Sequence, residues 1–173
     1  MPAKRYIGRL ISLKFTDRKT PIAGYVVDYN DEWTLMKWNP VDYVIDGFAI
    51  VRHKNISGVR RGVAEKFGEK VLKLKGVKIR RSDAVPLTDL ETILRHLTDK
   101  FGLFLLYTKS ETACYVGRLK SIDKRRLEIA SLNSRGKWDR TVTFRLGDIR
   151  VVEFGSDYLD SLRLVAKIKP GKS

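Results

Sequence analysis

A chain of 173 residues with 35 Lys and Arg against 20 Asp and Glu carries a formal net charge of +15, and 43% of its residues are hydrophobic, as in a globular protein. No apolar run approaches the roughly 18 to 20 residues of a membrane span, and residues 1–5 show no targeting pattern, so no membrane partner and a cytoplasmic protein are expected. Cys114 is the sole cysteine, which rules out an internal disulfide and a cysteine-built zinc site and leaves a small packed thiol as the expectation.

Residues 6–15 place Ile7, Ile11, Leu13 and Phe15 at alternate positions, interrupted at Arg9, in the manner of a half-buried strand. A polar turn over 16–21 leads into a second strand over 22–29, in which Gly24 marks a bend or a close backbone approach. Asn30-Asp31-Glu32 then turns the chain into a third strand over 33–38. After the loop that starts at Asn39 and the tight-turn pair Asp46-Gly47, a fourth strand is expected over 48–53 and a fifth over 56–60. Five short strands bent at a glycine predict a small closed barrel, because closure removes the edges that short strands leave open.

Past Gly62 the period becomes helical. Ala64, Phe67, Val71 and Leu74 fall on one stripe and Gly76 stands where a helix ends, so a lid helix is expected to lay that stripe on the first barrel. A basic linker follows. Thr88-Asp89-Leu90-Glu91 has the form of a capping box with Thr88 as the cap, and Leu90, Ile93, Leu94 and Leu97 give that helix its apolar face. Strands are then expected over 103–108, 115–122, 127–132, 141–146 and 149–154, with a last helix from Ser156-Asp157 burying Tyr158, Leu159, Leu162 and Val165.

The stretch from Gly24 to Gly62 recurs as Gly117 to Gly155 without a gap. Gly24 falls on Gly117, Asp46 on Asp139, Arg52 on Arg145 and Ile56 on Ile149, so an unbroken register of apolar, turn and glycine positions predicts two copies of one fold. Within it, Gly117-Arg118-Leu119-Lys120-Ser121-Ile122-Asp123, and more faintly Gly24-Tyr25-Val26-Val27-Asp28-Tyr29-Asn30, resembles the first motif of Sm-like proteins: a glycine, alternating apolar residues, then Asp or Asn at the hairpin turn. The resemblance implies a mainly β fold with helices (α+β). The expected fold is a tandem of two five-stranded small barrels of the SH3/Sm-like kind with a helix before the second barrel, and the helical periods read above add a C-terminal lid helix to each. The expected division is 1–76 for the first barrel and lid, 77–86 for the linker and 87–173 for the rest. The family's RNA pocket does not carry over. Its Met/His-Asn positions read Glu32-Trp33 and Arg125-Arg126 here, and its Arg-Gly positions read Lys54-Asn55 and Gly147-Asp148.

Catalysis is not expected. His53 and His96 lie in different copies, no nucleophile, base and orienting acid follow one another, and Asp28, Asp31, Glu32 and Asp42 read as turn residues rather than metal ligands, so no cofactor or metal is expected. Binding of RNA or DNA is the leading expectation. Lys75, Lys78, Arg80 and Arg81 crowd the end of the first lid and the linker, while Arg118, Lys120, Lys124, Arg125, Arg126, Arg135 and Lys137 gather on the second copy, where they would meet phosphates. Trp33, Trp38, Tyr43 and Trp138 are candidate stacking contacts, each with an alternative place in the core. The other expectation is a protein or peptide adaptor that uses the barrel grooves and takes acidic partners.

Overall fold

The computed structural model describes residues 3–78, 85–111 and 113–169. It is mainly β with three α-helices, and the chain divides into two compact units, Met1–Ala84 and Val85–Ser173. No helix among the described residues is long and apolar enough to cross a membrane.

The first unit holds β1 (Leu10–Phe15), β2 (Ile22–Tyr29), β3 (Trp33–Trp38), β4 (Phe48–Arg52), β5 (Ile56–Arg60) and α1 (Val63–Leu74). Its strands pair antiparallel in the row β5-β1-β2-β3-β4. The second unit holds α2 (Leu90–Phe101), β6 (Phe104–Tyr107), β7 (Cys114–Ile122), β8 (Arg126–Leu132), β9 (Trp138–Arg145), β10 (Val151–Phe154) and α3 (Asp157–Val165). Its row, β10-β6-β7-β8-β9, has the same order. Strands β1 and β10 begin later than expected. A 3-10 turn, Ala3–Tyr6, stands before β1, and another, Leu146–Asp148, stands before β10.

Pairing registers repeat between the copies at the displacement that carries Gly24 to Gly117. Ile11 faces Gly24 as Phe104 faces Gly117, Trp33 faces Arg52 as Arg126 faces Arg145, and Ser12 faces Arg60 as Leu105 faces Glu153. Even the bulge recurs, at Val26/Asp28 in β2 and Leu119/Ser121 in β7. The two glycines show why the bend is there. A Cβ on Gly24 would stand 2.3 Å from the Lys37 carbonyl oxygen, and a Cβ on Gly117 would stand 2.3 Å from that of Ala130. Only a residue without a side chain lets the bent strand approach its neighbour so closely.

The expected closed barrel is not formed. Among the described residues, β4 and β5 do not pair, nor do β9 and β10, so each unit's row stays open. Only residues 53–55 join β4 to β5, a reach of about 10 to 14 Å. The row must therefore curl until its ends approach, but the chain spends that turn on its own contacts: Asn55 takes φ +69°, its carbonyl accepts the Thr16 N–H, and His53 N–H goes to Glu32.

Helix α1 packs on β1 with the face opposite to the one its apolar stripe predicted. Phe67 is 54% exposed, Leu74 80% and Val63 87%, whereas Glu65, Gly68, Glu69 and Leu72 are buried. The cause lies in β1. Its pairing with β5 stops at Ser12, leaving the Leu10 N–H and carbonyl without a strand partner, and an unpaired buried backbone group costs about 1 to 3 kcal/mol. Glu69 accepts the Leu10 N–H at 3.0 Å, and Arg61 donates to the Leu10 carbonyl at 3.3 Å. Glu65 accepts from the Ser12 hydroxyl (2.8 Å), Arg60 Nε (2.6 Å) and the Gly62 N–H (2.8 Å). Two carboxylates and their arginines thus complete the strand edge, and the helix turns to bring them there.

In the second unit α2 packs on β6 and β7 through Leu90, Ile93, Leu94 and Leu97, the apolar face expected of it. Its cap is Asp89 rather than Thr88: the carboxylate accepts the Thr92 N–H at 2.8 Å, and Glu91 is occupied by Arg95. Helix α3 packs Leu159 and Leu162 against Leu103, Leu105, Val116 and Leu132, while Tyr158 and Val165, expected inside, are exposed. On α2, His96 has a buried Nε2 without a hydrogen-bond partner, and burial, with Lys100 adding to it, pushes its pKa below the usual imidazole range. Its neutral form is therefore the one that folding favours. That contribution is present above about pH 6.5 and lost as the pH falls below it. Denaturant titration at pH 7 and pH 5 is expected to show His96→Leu losing less stability between the two than the parent; an equal loss would contradict this.

Candidate nucleic-acid interface

Strands β7, β8 and β9 form a meander whose outward side chains are set by strand alternation and cross-strand register. Arg118 stands opposite Ala130 and Ala130 opposite Thr141; Glu128 stands opposite Thr143, and Arg126 opposite Arg145. Lys120 joins this face by donating from Nζ to Thr141 Oγ1 at 3.0 Å, and Ser121 by donating to Glu128 at 3.0 Å. Trp138, 41% exposed, lies under the Arg118 guanidinium, whose carbon is 4.6 Å from the ring centroid. The face combines cations, hydroxyls and one half-open indole.

Its charge is concentrated. Residues 114–145 carry nine basic and three acidic side chains, while the remainder of 86–173 carries eight of each. The whole positive excess of that stretch therefore lies on the meander and its loops. At the hairpin tip Asp123 Oδ1 accepts the N–H groups of Arg125 (2.7 Å) and Arg126 (2.8 Å), and these two bonds hold its pKa below the usual carboxylate range. The carboxylate is thus engaged with backbone while both arginine side chains are exposed. In the next loop Asn133 Oδ1 accepts from the Arg135 and Lys137 N–H groups, presenting those side chains in the same way.

The first unit supplies an internal control. Its turn is built alike, with Asn30 Oδ1 accepting from Glu32 and Trp33, but there Arg52 is ion-paired to Glu32 and its guanidinium lies 5.3 Å over the Trp33 ring. At the equivalent positions the second unit has Arg125 for Glu32, Arg126 for Trp33 and Arg145 for Arg52. An ion pair with a stacked indole has become three arginines. Among the described residues no acidic side chain pairs with any of the three. Like charges placed opposite each other in a sheet repel, and an external anion relieves that repulsion.

The structure separates the other expected contacts. Trp33 is fully buried (0% exposed), so it is a core residue and offers no stacking face; Trp38 is half-buried at the end of β3. Tyr43 is exposed in the first unit, beside Phe67. Lys75 donates to the Tyr43 carbonyl at 2.8 Å, and Lys78 is exposed, with its carbonyl accepting from Lys37. Arg80 and Arg81 lie outside the described residues. Lys124, Arg125, Arg126, Arg118 and Lys120 are brought together on the meander, with Arg135 and Lys137 in its loop. Arg145 was not among the expected contacts, although it aligns with Arg52 in the repeat and faces Arg126 across the strands.

Cys114 is exposed at the start of β7, where pairing with β6 begins, rather than packed. Partial burial and then the Glu153 charge raise the pKa of its thiol, which keeps it protonated. His53 is held neutral. Its Nδ1 lies 2.8 Å from the Asp31 carbonyl and must donate to it, which leaves Nε2 to accept from the Thr34 hydroxyl at 2.8 Å, and burial lowers its pKa. Among the described residues no three His, Cys, Asp or Glu side chains are grouped to hold a metal ion. No family model, characterised protein or solved structure matches this chain.

Proposed function

We propose that the chain is a non-catalytic nucleic-acid-binding protein that holds single-stranded RNA or DNA on the β7–β8–β9 face. Phosphates lie against Arg125, Arg126 and Arg145, with Arg118, Lys120, Lys124, Arg135 and Lys137 extending the track, and a base stacks on the open side of Trp138. The observation that carries this reading is the replacement, at matched positions of one fold, of a neutralised ion pair by three unpaired guanidinium groups. A concave duplex groove needs a protruding helix or ribbon, whereas a sheet face with an aromatic platform suits unstacked bases. The row order 5-1-2-3-4 and the glycine bend in the second strand support assigning both units to open small barrels of the Sm-like or SH3-like kind.

Fluorescence anisotropy with a mixed-sequence single-stranded RNA at low salt tests it. Replacing Arg125, Arg126 and Arg145 together with Ala is expected to weaken binding about thirtyfold, and Trp138→Ala about tenfold, both without loss of fold because these side chains are exposed. Unchanged affinity in the triple variant contradicts the proposal.

A further inference from the structure

The inverted docking of α1 leaves an apolar surface on the first unit that the nucleic-acid reading does not use. Phe67 and Leu74 stand outward on the helix, and Tyr43, from the loop between β3 and β4, meets Phe67 edge-on with ring centroids 6.0 Å apart. Val41 and Val44 of the same loop are exposed beside it. Between loop and helix lies a cavity of about 380 Å³, whose apolar wall is Leu10, Tyr43 and Phe67 and whose polar wall is Asp42 and the paired Arg60 and Glu65. That volume falls within the roughly 300 to 1,000 Å³ of ligand pockets. The loop wall is preformed, since Asn39 Nδ2 bonds the carbonyls of Asp42 (2.9 Å) and Val44 (2.6 Å).

The charge around this surface has one sign on the helix. Both carboxylates of α1, Glu65 and Glu69, are turned inward and paired, so the charges its exposed side presents are lysines. A helical period of 100° per residue puts Lys70 beside the Phe67 and Leu74 stripe and Lys66 next to Lys70, on the flank of the helix opposite to Gly68 and the cavity. We infer that this surface docks an acidic, amphipathic segment of a partner protein: one bulky apolar side chain enters the cavity, and carboxylates lie along Lys66 and Lys70. The cavity and its loop wall favour a projecting side chain over the smooth surface of a lipid bilayer. The apolar stripe excludes a bare polyanion. The chain would then be an adaptor, with protein on its first unit and nucleic acid on its second.

The test is selection of random peptides of about 16 residues, displayed on phage, on the full-length chain, with counter-selection on the F67S/L74S variant. Both replaced side chains are exposed, and thermal melting together with hydrogen exchange in the first unit confirms that the variant is folded. The expected pool binds the parent at least tenfold better than the variant, is enriched in Asp and Glu around an aromatic residue or Leu, and loses affinity at least tenfold on K66E/K70E. A pool that binds parent and F67S/L74S equally, or one that is not acidic, overturns the inference. So does co-sedimentation with phosphatidylcholine–phosphatidylserine vesicles that F67S/L74S abolishes, which would assign the surface to a membrane instead. RNA binding by F67S/L74S remains at the parent level in every case, so failure here leaves the nucleic-acid reading to stand or fall separately.

Discussion

Gly117→Ala is expected to destabilise the second unit by about 3 kcal/mol, and Gly24→Ala the first unit by a similar amount. In each case the added methyl meets a backbone carbonyl at 2.3 Å, Ala130 for one and Lys37 for the other, and a ladder carbonyl has no rotamer by which to withdraw. Relief requires the bent strand to part from its neighbour, which breaks the pairs between β7 and β8 or between β2 and β3. Units of this size are stable by only several kcal/mol, so each variant should lose most of its unit's stability. Gly58→Ala in β5 is the control, because nothing lies within 4 Å of the added atom and its expected effect is within about 0.5 kcal/mol. Hydrogen exchange resolved by unit reads the result. Similar stability in Gly58→Ala and Gly117→Ala would contradict the close approach.

Glu69→Ala should be as damaging to the first unit, at about 3 kcal/mol, because it leaves a buried strand amide and a set of cations unanswered at once. Glu69 accepts from Leu10, lies 3.0 Å from Arg61 and 2.7 Å from Lys73, and sits 3.5 Å from Arg9. Glu69→Gln keeps an acceptor for the Leu10 N–H and loses the charge, so an intermediate effect is expected. The same contacts make the unit acid-sensitive. Burial alone would raise the pKa of Glu65, but hydrogen bonds from Arg60, Ser12 and the Gly62 N–H outweigh it and hold the value at about 2. For Glu69, burial is likewise outweighed by Lys73, the Leu10 N–H and Arg61, and its pKa is lowered. A folded-state pKa below the unfolded one contributes stability that is complete above about pH 4.5 and is lost as the pH falls toward 2. Stability measured from pH 6 to pH 3 should fall in the parent and less in Glu69→Ala, where only the Glu65 part of the loss remains. A parallel fall in both would contradict it.

The repeat was legible because the fold needs glycine at one place in each copy, and the turn that follows needs Asn30 or Asp123 to accept two backbone amides. Such constraints leave a mark at a fixed spacing. Helix α1 was misread because periodicity reports where apolar residues lie, and here the decisive partner was an unpaired stretch of β1. Arg60 and Arg61 just before Glu65 and Glu69 were the available cue, but Glu69 also precedes Lys73 at the spacing of an ordinary helix-surface pair. Closure failed to form because β4 and β5 spend their short connection on contacts with neighbouring turns, which strand counting does not register. On the meander, the density of Arg and Lys was visible in the chain. What sequence density does not reveal is pairing: Arg145 gains its meaning only from standing opposite Arg126, where the sister copy has an indole.

The most direct test of the nucleic-acid face is the salt dependence of binding to a mixed single-stranded RNA, for the parent and for the Arg125, Arg126, Arg145→Ala variant. Each phosphate contact to a single strand contributes about −0.7 to the slope of log K against log salt. The parent, with four to five such contacts expected, should give a slope of about −3, and the variant one of about −1. Equal slopes in the two, or no binding by the parent at low salt, would show that the three arginines do not hold phosphate and would remove the basis of the proposal.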